Sequence, residues 1–359
     1  MKDVINSQQG KCLSCGGNLY FSPNTQDLFC AKCESHYSIK NDDIIKAHIL
    51  NEKLDKTTSQ NIQDENNLLK CPNCGAKVIL NKFEVSKKCP YCGAGLVKER
   101  NAGNIEPPDA IIPFAFDENV AGEKFVEGVK KKFWAPRKFK KQPPKNIVHG
   151  IYVPAFAYDA HTDSKYRGML YNEYTKTDKN GNTHTRRRYF DISGLHTADL
   201  ENVIVEASSK IKQNEIDGVL PYHYKKIKPY KNDYIFGYSV ERYNKNVIEN
   251  IPTYKDKVRR ILRGQILSKY YYDGVDYLNI STTFSNEQYR YYILPIYRFD
   301  YEYKKKKYIT YMNGQTGKVD GNVPKSKLKI ALIILIPLLI ILSIMFASVF
   351  ISINFSMNR

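Results

Sequence analysis

All eight cysteines of the chain precede Leu96, in four C-x-x-C pairs: Cys12/Cys15, Cys30/Cys33, Cys71/Cys74 and Cys89/Cys92. The gap inside each set is the same, residues 16–29 in the first and 75–88 in the second. Adding 59 to every cysteine position of the first set gives the second, so the pattern is an internal repeat. Two C-x-x-C pairs at this separation have the spacing of a tetrahedral four-cysteine zinc site. Thiolate is a soft ligand, and four sulfurs close the coordination shell. A closed shell leaves no open position for substrate, which makes both sites structural. Segments this short build no core alone, so metal binding supplies their folding energy.

Disulfides of a secreted domain are the competing explanation, and several features oppose it. Residues 1–10 are polar rather than a secretory leader, and no cysteine falls outside the two sets. Glycine follows three of the pairs, as Gly16-Gly17, Gly75 and Gly93, which suits tight knuckle turns whose backbone amides face sulfur. The expected ligands are therefore Cys12, Cys15, Cys30, Cys33, Cys71, Cys74, Cys89 and Cys92, holding two structural Zn2+. His36 and His48 are left as surface residues. The first zinc ribbon takes residues 1–40, a short helix (42–54) and polar linker fill 41–68, the second ribbon takes 69–98, and 99–109 is a linker.

The other end of the chain is equally constrained. Residues 330–351 are 22 positions without a charge, interrupted by Pro337, Ser343 and Ser348. As a helix they span roughly 33 Å, enough for a bilayer core. Lys325, Lys327 and Lys329 precede the run, and Arg359 alone follows it. The positive-inside rule then puts the N-terminal part in the cytoplasm of a single-pass plasma-membrane protein, with 352–359 as a short non-cytoplasmic tail. Reduced, zinc-binding thiolates agree with that compartment. A multi-span protein is excluded by a mean hydropathy of −0.50.

Between these features, residues 110–324 read as an α+β domain with an antiparallel sheet. Residues 118–134 and 252–270 carry apolar side chains at helical spacing, and 199–211 reads as a third helix. Residues 178–182 (Asp-Lys-Asn-Gly-Asn) are a hairpin turn between strands 166–175 and 183–192. Three further strands are expected at 275–284, 289–303 and 308–312, with a turn at Ser285-Asn286-Glu287. In the middle one Tyr297, Phe299, Tyr301 and Tyr303 alternate with Arg298, Asp300 and Glu302. The tyrosine stripe reads as sheet core.

The chain holds 55 Lys and Arg against 37 Asp and Glu, a formal +18, which calls for an anionic partner. Residues 1–100 contribute only +3, and 101–324 contribute +11. Eight thiolates and two Zn2+ remove about four charges, so the ribbons are close to neutral and the base lies in the middle domain and before the apolar run. Phosphate binding needs Lys and Arg on the binding element, so nucleic acid is the less favoured partner and a lipid surface the more favoured. Lys304–307, Lys318, Lys325, Lys327 and Lys329 are candidates to meet anionic headgroups. The segment 130–141, with Phe133, Trp134 and Phe139, is either a partner-binding patch or a helix with core aromatics and solvated lysines. No nucleotide, metalloprotease or hydrolase motif is present.

The layout resembles a family of bacterial TFIIB-type zinc-ribbon-containing single-pass membrane proteins. The resemblance rests on the paired C-x-x-C sets, Lys132-Phe133-Trp134-Ala135-Pro136, Tyr152-Val153-Pro154 with Tyr158-Asp159, Leu294-Pro295-Ile296-Tyr297, and Tyr311 to Lys318 leading into the apolar run. Ala155-Phe156-Ala157 departs from it, since bulkier aromatics stand there in relatives. It implies a cytosolic ribbon platform on the inner face of the plasma membrane, partnered with phage-shock-A-like or flotillin-like (SPFH) membrane-stress proteins. The expectation is a non-enzymatic adaptor whose two rigid ribbons project from a membrane-held body and dock a cytosolic protein. The alternative is a membrane-tethered nucleic-acid-binding regulator.

Overall fold

The β-branched and aromatic density of the middle segment produces three very long strands, and everything else is arranged around them. The computed structural model describes residues 10–41, 43–50, 68–79, 89–91, 97–98, 107–141, 148–179, 181–208, 210–321 and 323–357. Its elements, in chain order, begin with β1 (Leu19–Ser22), β2 (Asp27–Cys30), β3 (His36–Tyr37), β4 (His48–Ile49), β5 (Leu68–Lys70), β6 (Lys77–Ile79), β7 (Val97–Lys98) and β8 (Ala110–Ile111). Helices α1 (Glu118–Lys131) and α2 (Arg137–Lys141) precede β9 (Val148–Thr177) and β10 (Thr183–Glu206). Then come α3 (Gln213–Val219), β11 (Lys228–Pro229), β12 (Ser239–Glu241), α4 (Ile251–Leu267), β13 (Gly274–Tyr303), β14 (Lys306–Asn313), β15 (Val319–Gly321) and α5 (Lys327–Met357).

Strand β9 is central to the body. It pairs antiparallel with β10 along one edge and with β13 along the other. Near its start it also pairs in parallel with β12. At about 3.3 Å per residue its 30 residues trace roughly 100 Å of chain. The far half is a three-stranded arm, β10-β9-β13, ending in the 178–182 turn. The near half is the base of the body, where β13 also pairs with β14, β8 and β4.

Base and arm meet where both neighbours of β9 bulge at the same level. Between Leu200 and Val203 strand β10 carries an extra residue opposite Ala160–Tyr158, and between Ser285 and Gln288 β13 does the same opposite His161–Asp159. Asn202 and Asn286 sit there at φ of +53°, a conformation asparagine tolerates better than most residues. Paired bulges bend and twist a sheet sharply. Asp159 ties the two together: its carboxylate accepts the Asn202 amide at 2.8 Å and pairs with the Arg290 guanidinium.

Three expectations change in this part of the fold. Residues 199–206 of the expected 199–211 helix are instead the end of β10, because Val203, Ile204 and Val205 continue the register opposite Tyr158, Ala157 and Phe156. Cross-strand packing overrides helical spacing there. Ser285-Asn286-Glu287 does not reverse the chain, and the two expected strands are one strand with a bulge. Likewise 43–50 is not helical. His48–Ile49 is an edge strand on β13, with Ile45 and Leu50 packed separately against two different core clusters; residues 42 and 51–54 of the expected 42–54 helix lie outside the described ones.

The core is dominated by aromatic rings. Phe125 of α1 stacks on Phe299 at 4.3 Å and 13°, and Phe114 stacks on Tyr238 at 4.3 Å. The buried Tyr297 donates to the Phe116 carbonyl. Helix α1 starts at Asp117, whose Oδ1 accepts from the Val120 amide at 3.0 Å as an N-cap, and it stops at Lys131, ahead of Pro136. Helix α4, with Pro252 in its first turn, joins base to arm. Tyr254 stacks on Tyr158 of β9 at 4.4 Å, while Ile266 and Leu267 pack with Tyr166, Leu170 and Ile192 in the arm.

Asn313, fully buried, organises the exit from the sheet. Its Oδ1 accepts the Gln315 and Thr316 amides at 2.8 and 2.9 Å, and its Nδ2 donates to the Val219 carbonyl at 3.0 Å. Gly314 follows because a Cβ there would lie 2.5 Å from the Phe114 ring.

Asp159→Asn is expected to lower stability by about 1–3 kcal/mol through loss of a charge-assisted hydrogen-bonded pair. Urea unfolding of the detergent-solubilised protein measures this. Amide exchange should rise in 160–177 more than in 148–158.

Candidate metal centres and the terminal helix

The first cysteine set is assembled by a small antiparallel sheet, β1-β2-β3. Its four sulfurs, from Cys12, Cys15, Cys30 and Cys33, all lie within 4.8 Å of one another. Cys12 and Cys33 sulfurs are 3.4 Å apart, and those of Cys15 and Cys30 are 3.5 Å apart. A disulfide needs about 2.05 Å, whereas Zn–S bonds of about 2.3 Å in a tetrahedron give sulfur–sulfur edges of roughly 3.8 Å. The arrangement fits a chelated ion and not a disulfide pair.

The turns around the sulfurs explain the glycines. Cys12 O accepts the Gly16 amide at 2.8 Å, with Gly16 at φ +69°. The Gly17 amide donates to Cys15 Sγ at 3.4 Å, and a Cβ on Gly17 would come within 3.2 Å of Cys30 Sγ. The second knuckle repeats the turn without glycine, Glu34 taking φ +59° and donating to Cys30 O at 2.8 Å. Tyr37 is buried with its hydroxyl 3.1 Å from Cys12 Sγ, the largest of several hydrogen bonds that lower the Cys12 thiol to about 6, whereas Cys15 is raised: the Gly17 amide lowers it, but Cys33, burial and Cys30 outweigh that.

The second set shows Cys71, Cys74 and Cys89 with sulfurs within 4.8 Å of one another; Cys92 lies outside the described residues. Cys74 and Cys89 sulfurs are 3.6 Å apart, and the Tyr91 amide donates to Cys89 Sγ at 3.4 Å. Gly75 repeats Gly16, at φ +72° with its amide 2.8 Å from Cys71 O. The two four-residue knuckles are thus superimposable in their hydrogen bonding, as the repeat predicts.

Neither set projects freely from the body. Phe236 packs into the first cluster with Leu19, Leu28 and Tyr37, and Phe21 donates its amide to Phe236 O at 3.0 Å. In the second set β6 pairs antiparallel with β12, so its strands extend the body's main sheet. Tyr91 donates its hydroxyl to Glu241, Ser208 donates to the same carboxylate, and Lys210 donates to Cys74 O. Burial pushes the Glu241 carboxyl up to about 7, against the lowering effect of the Ser208 and Tyr91 donors. Glu206, close by in sequence to Ser208, is also raised to about 7 by burial, with Lys245 at 3.2 Å working the other way. Sequence reading missed Glu206 and Glu241, because an acid ending a strand carries no local mark of burial.

The histidines are engaged rather than idle at the surface. His36 Nδ1 lies 3.0 Å from the Asp27 carboxylate, and His48 Nε2 lies 2.7 Å from Asp109. Neither joins a metal-ligating cluster among the described residues.

Helix α5 is long and apolar enough to cross a membrane over Lys327–Met345, and none of that window is buried inside the protein. Its start is fixed to the body. Ser326 caps it, accepting the Lys329 amide at 3.3 Å, and the Ser326 amide donates to Trp134 O at 2.8 Å. Lys329 Nζ donates to Phe133 O at 2.6 Å and to Ala135 O at 3.2 Å.

No protein-family model matches the chain. It is 28% identical over 239 residues to the uncharacterized protein YdjG of Bacillus subtilis (strain 168), a match that covers 66% of this chain and 69% of that protein. No solved structure matches.

The cysteine geometry, together with the sequence repeat that supplies Cys92, predicts two zinc ions per purified chain by elemental analysis, and one in either Cys30→Ser or Cys92→Ser. Retention of both ions in Cys92→Ser would exclude it as a ligand.

Proposed function

We propose that this protein is a non-enzymatic, membrane-anchored zinc-ribbon adaptor. The observation that carries the reading is α5: an apolar helix, capped and hydrogen-bonded into the body at its first turn, with none of its Lys327–Met345 window covered by the rest of the chain. An uncovered apolar helix of that length is stable in lipid and costly in water. Lys325, Lys327 and Lys329 at its start orient it by the positive-inside rule, with the body in the cytoplasm.

On this reading the eight cysteines hold two structural Zn2+, in the reducing compartment that keeps thiols free. The ions would lock Phe236, β12 and the knuckle turns into fixed relative positions, giving the cytosolic face a rigid shape. Its partner is a cytosolic protein drawn to the inner face of the plasma membrane, of the phage-shock-A-like or SPFH kind that the family resemblance implies. Tethering raises the partner's local concentration at the bilayer without any chemical step.

Deleting residues 330–359 should move both the protein and its partner from the membrane to the soluble fraction. A truncated chain that still sediments with membranes argues against the anchor. Asn358→Cys should react with an impermeant maleimide on intact cells while Lys318→Cys does not, and the reverse pattern would invert the topology.

A further inference from the structure

Trp134 is the one tryptophan of the chain, and it stands in an unusual place. Phe133 and Trp134 are 61% and 40% exposed, edge-on to one another at 5.2 Å. Phe139, six residues from Phe133, is instead fully in the core. So the cationic segment 130–141 divides: one aromatic packs inward and two face out. The outward pair belongs to the stretch whose carbonyls hold the start of α5, through Lys329 Nζ on Phe133 O and Ala135 O and the Ser326 amide on Trp134 O. Lys329 Nζ also lies 5.1 Å from the centre of the Phe133 ring.

The same end of the body is strongly basic. Residues 128–141 and 323–329 hold ten Lys and Arg and no Asp or Glu. Lys140 Nζ donates to Lys130 O at 2.7 Å and so binds α2 to the end of α1. The Lys304-Lys305 turn between β13 and β14 lies beside α2, because Tyr303 packs edge-on against Phe139 at 5.2 Å. The acids facing this surface are Glu127, paired with Lys131 at 2.7 Å, and Asp320, 3.8 Å from Lys132. They leave most of the positive charge uncompensated.

We infer that Phe133, Trp134 and the surrounding lysines form a lipid-headgroup site: the two rings sit at the bilayer interface beside the root of α5, and the lysines contact anionic phospholipid. The inference rests on the membrane-anchored reading and deepens it. A lone transmembrane helix leaves its body free to swing. Trp134 joins an apolar ring to an N–H, which favours the interface, and Phe133 adds apolar area beside it; lysines near an anionic leaflet are attracted to it within a Debye length. With carbonyls of residues 133–135 bonded to α5, the rings have to lie about one helical turn from where the apolar run begins. The body is then held at a fixed tilt. A soluble protein or nucleic acid is a poorer occupant, because α5 in lipid brings headgroups to this face before any other ligand can reach it.

Trp134 makes the test direct. The full chain is reconstituted into vesicles of phosphatidylcholine, with or without phosphatidylglycerol, and excited where tyrosine does not absorb. The expected result is blue-shifted emission, quenched more by lipid brominated near the headgroup than by lipid brominated deep in the acyl chain. Adding phosphatidylglycerol should enlarge the shift. Lys130→Glu/Lys138→Glu/Lys141→Glu should abolish that enlargement while keeping the emission seen in phosphatidylcholine. Protein that floats with the vesicles but whose Trp134 is quenched by aqueous iodide and untouched by brominated lipid overturns this inference alone. A triple variant that responds to phosphatidylglycerol like the wild type overturns the role of the lysines. Protein that does not float with vesicles at all overturns the anchor, and this site with it.

Discussion

Most strands of the main sheet are hydrogen-bonded to one strand or to one of its immediate neighbours. β9 lies between β10 and β13 for most of its length, and β12 takes over beside it where β10 ends. A strand bonded on both sides cannot slip by one residue without turning its apolar face outward along both interfaces. That locks the register of β10 and β13 at once. The coincident bulges at Asp159 then become a level at which both neighbours of β9 let the sheet bend without unpairing. Asp159 bonds to Asn202 on one side and Arg290 on the other, so one carboxylate ties the two bulges together, with α4 packed across base and arm beside it.

The cysteine clusters follow from the same framework. Each knuckle is local, built from hydrogen bonds within five residues, which is why it repeats so faithfully after 59 positions. What surrounds each cluster is not local. The first takes its apolar floor from Phe236, and the second takes its strand partner from β12. These two contacts lie only a few residues apart in sequence, at 236 and 239–241. One short stretch of the body therefore addresses both clusters, and their mutual position is set by backbone rather than by a linker.

What was legible beforehand were features whose cause is local. Chelation demands a fixed spacing of Cys12, Cys15, Cys30 and Cys33, and the repeat at Cys71, Cys74 and Cys89 copies it. The apolar run before Arg359 and the turn at 178–182 are equally self-contained. Misreadings came where partners decide. Asn202 and Asn286 look like turn or helix residues, and both take positive φ, but each sits in a bulge because β9 continues past it. The spacing in 199–211 suits a helix in isolation, whereas Val203 and Val205 serve as cross-strand partners of Tyr158 and Phe156. Phe139 and Phe133 have the same side chain six positions apart, and only the fold distinguishes the ring in the core from the ring outside. Glu241 was invisible for the complementary reason: its hydroxyl donors come from Tyr91 and Ser208, 150 and 33 residues away.

The arm has a further property. Among the described residues no strand pairs with the outer edge of β10, or with β13 over 274–285. Each copy therefore carries two long open edges, the kind of surface on which identical chains add to one another as continuous sheet. Confinement to a membrane plane would align such edges between neighbours and raise their encounter rate. The exposed run Arg186-Arg187-Arg188 lies along one of them. Bringing two copies together there stacks arginine against arginine, and like charges placed opposite each other oppose pairing. On the membrane-anchored reading the positive charge of the chain would then act in two separate places: at the root of α5 toward headgroups, and on β10, where Arg187 is partly offset by Glu173, against edge-to-edge pairing of identical arms.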